Sequence, residues 1–69
     1  MTKFFDLHVF YGRKDAFSVG IKIDTDKEDL TEEEVIEHSI TDGLIEPEDS
    51  NHVDYVIEID ESEYKLLTF

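Results

Sequence analysis

Residues 3–11 read KFFDLHVFY, and the fold turns on the fact that this run is apolar on both of its alternating faces. Side chains along a strand point to opposite sides in turn, so Phe5, Leu7, Val9 and Tyr11 share one face while Phe4, Asp6, His8 and Phe10 share the other. A strand half-exposed to water has one polar face; one that carries aromatic residues on both belongs in the middle of a sheet.

Working outward, GRKD at 12–15 is a Gly-containing turn, and AFSVGIKID at 16–24 alternates again. Phe17, Val19, Ile21 and Ile23 oppose Ala16, Ser18, Gly20, Lys22 and Asp24, so the two runs form a β-hairpin. Gly20 inside the second run marks a bulge or a place where a large neighbour such as Phe4, His8 or Phe10 lies across the backbone.

A helix follows. Thr31 and Glu34 have the spacing of a capping box, and Leu30 and Val35 that of a hydrophobic staple, which starts the helix at Glu32. Val35, Ile36, Ser39 and Ile40 form its inward stripe, Glu33, Glu34, Glu37 and Thr41 its outer face, and Gly43–Leu44 its stop. IEPEDSN at 45–51 is a loop with a helical turn starting at Pro47. HVDYVIEI at 52–59 is a third strand, with Val53, Tyr55, Ile57 and Ile59 on one face. Asp60 and Glu63, flanked by Ile59 and Tyr64, repeat the helix-start signature and predict a short terminal helix over 61–67, with Tyr64, Leu67 and Phe69 turned inward. The rival for that segment is a strand that runs on.

These elements give an α+β fold, ββαβ plus a terminal helix. The sheet has three strands and is mostly antiparallel, with a right-handed crossover and one main helix on one face. The two-sided apolarity of 3–11 favours the order 2-1-3 over 1-2-3. One main helix covers one sheet face only, so Phe4, Phe10, Ala16 and Val56, read as the reverse face, require cover from the terminal helix or from a second copy of the chain.

Size sets the bounds. Residues 1–69 form a single small domain, because a chain of this length buries only about 60% of its unfolded surface. It contains no cysteine, so no disulfide staples it. Asp6 and His8 interrupt the apolar start, which rules out a signal peptide there, and no run is long enough to span a membrane. The expectation is a cytoplasmic protein and, from Met1, a whole gene product.

The net charge is −13, and it is unevenly spread. Over residues 1–23, Lys3, Arg13, Lys14 and Lys22 exceed Asp6 and Asp15 for a net of +2. Over 24–69, 17 acids stand against Lys27 and Lys65 for a net of −15. With 39% hydrophobic residues in periodic runs, the chain has a core and is not a disordered acidic tail. Such a surface repels phosphate backbones and anionic lipid, so the expectation is no direct nucleic-acid binding and no membrane binding.

Catalytic chemistry finds little support. Ser18, Ser39, Ser50 and Ser62 stand in no nucleophile motif, no Gly-rich loop cradles a phosphate, and carboxylate pairs lack the pocket that would separate their pKa values. DTDKEDLTEEEV from Asp24 starts like a calcium loop but has Asp29 where the turn needs Gly and Val35 where the bidentate Glu belongs. His8, His38 and His52 have no metal-ligand spacing. His38 is placed to pair with Glu34, and His8 and His52 to meet on the reverse sheet face. The expectation is therefore no enzyme, no metal and no cofactor.

The sequence instead points to a protein-interaction module. Asp26, Glu28, Asp29, Glu33, Glu34 and Glu37 would face Lys or Arg of a basic protein, in the manner of an inhibitor or nucleic-acid mimic, with binding that weakens in salt. The alternative is an accessory domain that homodimerises through Phe4, His8, Phe10 and Val56, its acids serving solubility alone.

Overall fold

A computed structural model describes residues 1–12 and 14–67. The elements run β1 (Thr2–Gly12), β2 (Asp15–Asp24), α1 (Glu32–Thr41), a 3-10 helix (Pro47–His52), β3 (Val53–Ile59) and α2 (Glu61–Leu67). The sheet order is β2-β1-β3, with β1 antiparallel to both neighbours. KFFDLHVFY is thus the central strand, as its two apolar faces require. The segment 61–67 is helical and not a continued strand, capped by Asp60, whose carboxylate accepts from the Glu63 N–H at 2.9 Å. The inward turn expected of Phe69 lies outside the described residues.

The core lies on one face of the sheet. Phe5, Leu7 and Val9 of β1, Ile21 and Ile23 of β2, Val35 of α1 and Ile45 behind it are buried together, with Val19, Leu30, Ile36, Ile40, Val53 and Val56 packed at their margin. Ser39, also fully buried, satisfies its hydroxyl by donating to the Val35 carbonyl one turn back at 2.8 Å. This bond explains how a polar residue sits in the inward stripe without an unpaired group. Lys3 is buried along its stem at the end of the same face, its Nζ 3.7 Å from Glu58, which is itself largely exposed. The stem covers apolar surface while the ammonium faces a carboxylate open to water.

α1 begins as its sequence dictates. Thr31 Oγ1 accepts from the Glu34 N–H and the Glu34 carboxylate accepts from the Thr31 N–H, both at 3.2 Å. It ends at Gly43, whose φ of +76° places it in the left-handed region, so that the Gly43 and Leu44 N–H groups reach the carbonyls of Ile40 and Ser39.

The reverse face is covered over part of its length. Tyr64 of α2 packs on Phe4 with ring centroids 4.9 Å apart, and α2 touches both β1 and β2. The terminal helix therefore supplies the cover at Phe4. Gly20 stays in register opposite Asp6 and is buried, with no bulge there. The irregularities lie elsewhere, between Phe10 and Gly12 on the β2 side and between His8 and Val9 on the β3 side.

The second of these corrects the reading of β3. Val56 pairs with Leu7 and packs against the core, so it does not belong to the reverse face. Tyr55, Ile57 and Ile59, opposite His8, Asp6 and Phe4, take that face instead. Val53 pairs with Val9 on the core side. A bulge in which Val53 and Tyr55 oppose successive β1 residues, with Asp54 left over, flips the alternation along the strand.

Candidate interaction surface

The acids divide by what already engages them. Glu34 is committed to the fold: besides capping α1 it takes an ion pair from Lys27 Nζ at 2.5 Å. That Lys27 bond, and then the Thr31 N–H, hold its carboxyl below the ordinary glutamate range. Glu34 thus ties the β2–α1 loop to the first turn of the helix. His38, placed by its spacing to meet Glu34, pairs instead with Asp42 one turn further on, Nε2 to Oδ2 at 3.0 Å.

Asp26, Glu28 and Asp29 stand exposed in the β2–α1 loop, and Glu33 and Glu37 stand exposed on the outer side of α1. Among the described residues no cation pairs with any of these five. The one lysine among them, Lys27, is held by Glu34. The loop is fixed at its start, where the Thr25 N–H donates to the Met1 carbonyl at 2.9 Å and Thr2 Oγ1 donates to Asp24 at 2.6 Å. An acidic flank of defined geometry follows, made of loop plus helix and bearing uncompensated charge.

Glu33 and Glu37 also border a groove of about 410 Å³ between α1 and the 3-10 helix, completed by Ile36, Ile40 and Ser50. Nothing in the sequence alone joined Ser50 to α1; the groove depends on how the 3-10 helix docks. That docking rests on Tyr11, whose hydroxyl donates to the Asp49 carboxylate and whose ring stacks on His52 with centroids 4.2 Å apart. Asp49 doubles as the cap of its own turn, accepting from the Glu46 N–H at 2.8 Å. The Tyr11 bond foremost, with the Glu46 N–H, lowers the Asp49 carboxyl. The same bond foremost, helped by burial and by the surrounding acids, pushes the Tyr11 hydroxyl up to about 12.

The reverse sheet face carries a second candidate surface. Phe10, Tyr55 and Ile57 are exposed by 47%, 38% and 48%, beyond the part covered by α2. His8 lies among them, bonded through Nδ1 to Ser18 Oγ at 2.9 Å and stacked on Tyr55 at a centroid distance of 5.0 Å. His52 is on the 3-10 helix against Tyr11, so the two histidines expected to meet on this face do not. Of the expected dimer residues, Phe10 and His8 remain available, Phe4 is largely engaged by Tyr64, and Val56 faces the core.

Among the described residues no group of three or more His, Asp or Glu is arranged to hold a metal ion, and no helix is long and apolar enough to cross a membrane. No protein-family model, curated protein or solved structure matches this chain.

Proposed function

We propose that this chain is a non-catalytic interaction module that engages a basic surface of another protein through its acidic flank. The observation that carries the reading is the absence of any cation partner, among the described residues, for Asp26, Glu28, Asp29, Glu33 and Glu37. Like charges held together on a small domain oppose folding, and a basic partner relieves that repulsion on contact. Carboxylates on successive turns of α1, about 5–6 Å apart at their Cβ atoms, also suit a partner whose cations are spaced to bind phosphates. The module would then act as an inhibitor or mimic of nucleic acid. The immobilised chain, exposed to host lysate and washed at low and high salt, should retain basic proteins that the high-salt wash releases. The same chain with the five acids neutralised should retain none of them. Capture that survives high salt, or that the neutralised variant keeps, refutes the reading.

A second reading rests on the uncovered part of the reverse face. There Phe10, Tyr55 and Ile57 would pair two copies of the chain, with the acids serving solubility. Sedimentation at rising concentration separates the two: a monomer throughout removes this alternative.

A further inference from the structure

The groove between α1 and the 3-10 helix bears on what the acidic module grips, an inference that rests on that reading. Glu33, Ile36, Glu37 and Ile40 fall at helical positions i, i+3, i+4 and i+7, the four-cornered hole into which one side chain of a partner inserts in knobs-into-holes packing. Here the hole is split by chemistry. Ile36 and Ile40 are half-buried and pack against the core beneath, so they form a fixed apolar floor. Glu33 and Glu37 stand exposed along the other side. Ser50 closes the end, and its hydroxyl hydrogen is spent on the Pro47 carbonyl at 2.6 Å, leaving oxygen lone pairs as its free polar capacity.

The side-chain polar atoms lining the groove therefore accept hydrogen bonds. An apolar knob seated there would strip water from two carboxylates without replacing it, and an anion would be repelled. The occupant that satisfies every lining group has a donor-only cationic head and an aliphatic stem. We infer that the groove is a receptor for a Lys or Arg side chain of the protein partner, its stem on Ile36 and Ile40 and its head between Glu33 and Glu37. The groove thereby supplies registry to an otherwise diffuse acidic contact.

The test uses the full chain with isotopically labelled isoleucine methyl groups and labelled amides. It is titrated at low salt with an acetylated, amidated Gly-Arg-Gly-Arg-Gly peptide, and with the same peptide carrying uncharged citrulline for Arg. Saturable shifts of the Ile36 and Ile40 methyls and the Ser50 amide, absent at Ile57 and absent with citrulline, are expected. Glu33→Gln with Glu37→Gln should weaken binding about fivefold or more, as two exposed charge contacts allow. Asp54→Asn with Glu61→Gln, which removes equal charge elsewhere, should weaken it less than about twofold. Shifts centred on the β2–α1 loop, or equal losses from the two variant pairs, overturn the groove assignment and leave the acidic-module reading standing. The absence of any saturable, charge-dependent shift overturns both.

Discussion

Truncating Leu7 to Ala tests which face of the central strand holds the molecule together. Leu7 is fully buried, lying between Val19 and Val56 in the cross-strand register. The change deletes three carbons, worth roughly 2.4 kcal/mol at about 0.8 kcal/mol per buried methylene. The cavity left behind raises the expected cost to about 3–5 kcal/mol. A chain of 69 residues commands roughly 3–10 kcal/mol in total, and self-repulsion of the acids places this one toward the lower end. Phe10→Ala on the opposite face of the same strand removes a larger side chain, but one already 47% exposed, and should cost only about 1 kcal/mol. Urea denaturation followed by far-ultraviolet circular dichroism measures both. With a slope of about 1 kcal/mol per molar, Leu7→Ala should lower the midpoint by roughly 3 M or leave the chain unfolded at the start, and Phe10→Ala by about 1 M. Equal losses, or a larger loss at Phe10, refute the assignment of the core to the Leu7 face.

Other outcomes follow from local features. Thr31→Ala removes the side-chain acceptor of the Glu34 N–H and should destabilise by about 1 kcal/mol, read from the same urea curves. Gly43→Ala forces a Cβ into the left-handed region at φ +76°, though nothing stands within 4 Å of the added atom, so the cost is backbone strain alone, about 1 kcal/mol. The Tyr11–Asp49 bond makes stability depend on pH at both ends. Because the folded Asp49 carboxyl is lowered, its contribution is present above the ordinary carboxyl pKa and is lost as acid titrates the folded group. Because the folded Tyr11 hydroxyl is raised to about 12, its contribution is complete below the ordinary tyrosine value of about 10 and is lost as pH rises toward the folded one. Tyr11 is exposed and Asp49 half-exposed, so solvent screening keeps the effects small. Tyr11→Phe should flatten both limbs of a thermal-melting profile against pH, and a profile unchanged by the substitution would contradict the role given to the bond.

The elements legible in the sequence are those whose signals are local. Thr31 with Glu34, Asp60 with Glu63, and Gly43 each carry their structural consequence within a few residues, and each element forms where they place it. The order of the sheet was legible for a different reason: Phe4 and Phe10 beside Leu7 and Val9 demand cover on two sides. What the pattern misjudged is the orientation of β3. Val53, Tyr55, Ile57 and Ile59 alternate without a break, and the bulge beside His8 and Val9 that divides them depends on cross-strand pairing. A strand apolar at Val56 as well as at Ile57 accommodates either facing, so its alternation does not fix its register. The acidic surface divided along the same line. Glu34 was legible as a cap, whereas its ion pair with Lys27, the pairing of His38 with Asp42 and the meeting of Ser50 with α1 all depend on how separate segments dock.

The central position of β1 also bears on the order of synthesis. β1 precedes both of its partners in the chain, and the pairing of Leu7 with Val56 spans most of the molecule. Such long-range closure is slow relative to helix or hairpin formation. The β1–β2 hairpin can form once Asp24 has cleared the ribosome, but the other edge of β1 stays unpaired until β3 emerges, and its Phe4 side stays uncovered until α2 follows. A ribosome that stalls before Val53 therefore leaves a nascent chain with a sticky, unpaired strand, which is the species that chaperones and proteases recognise.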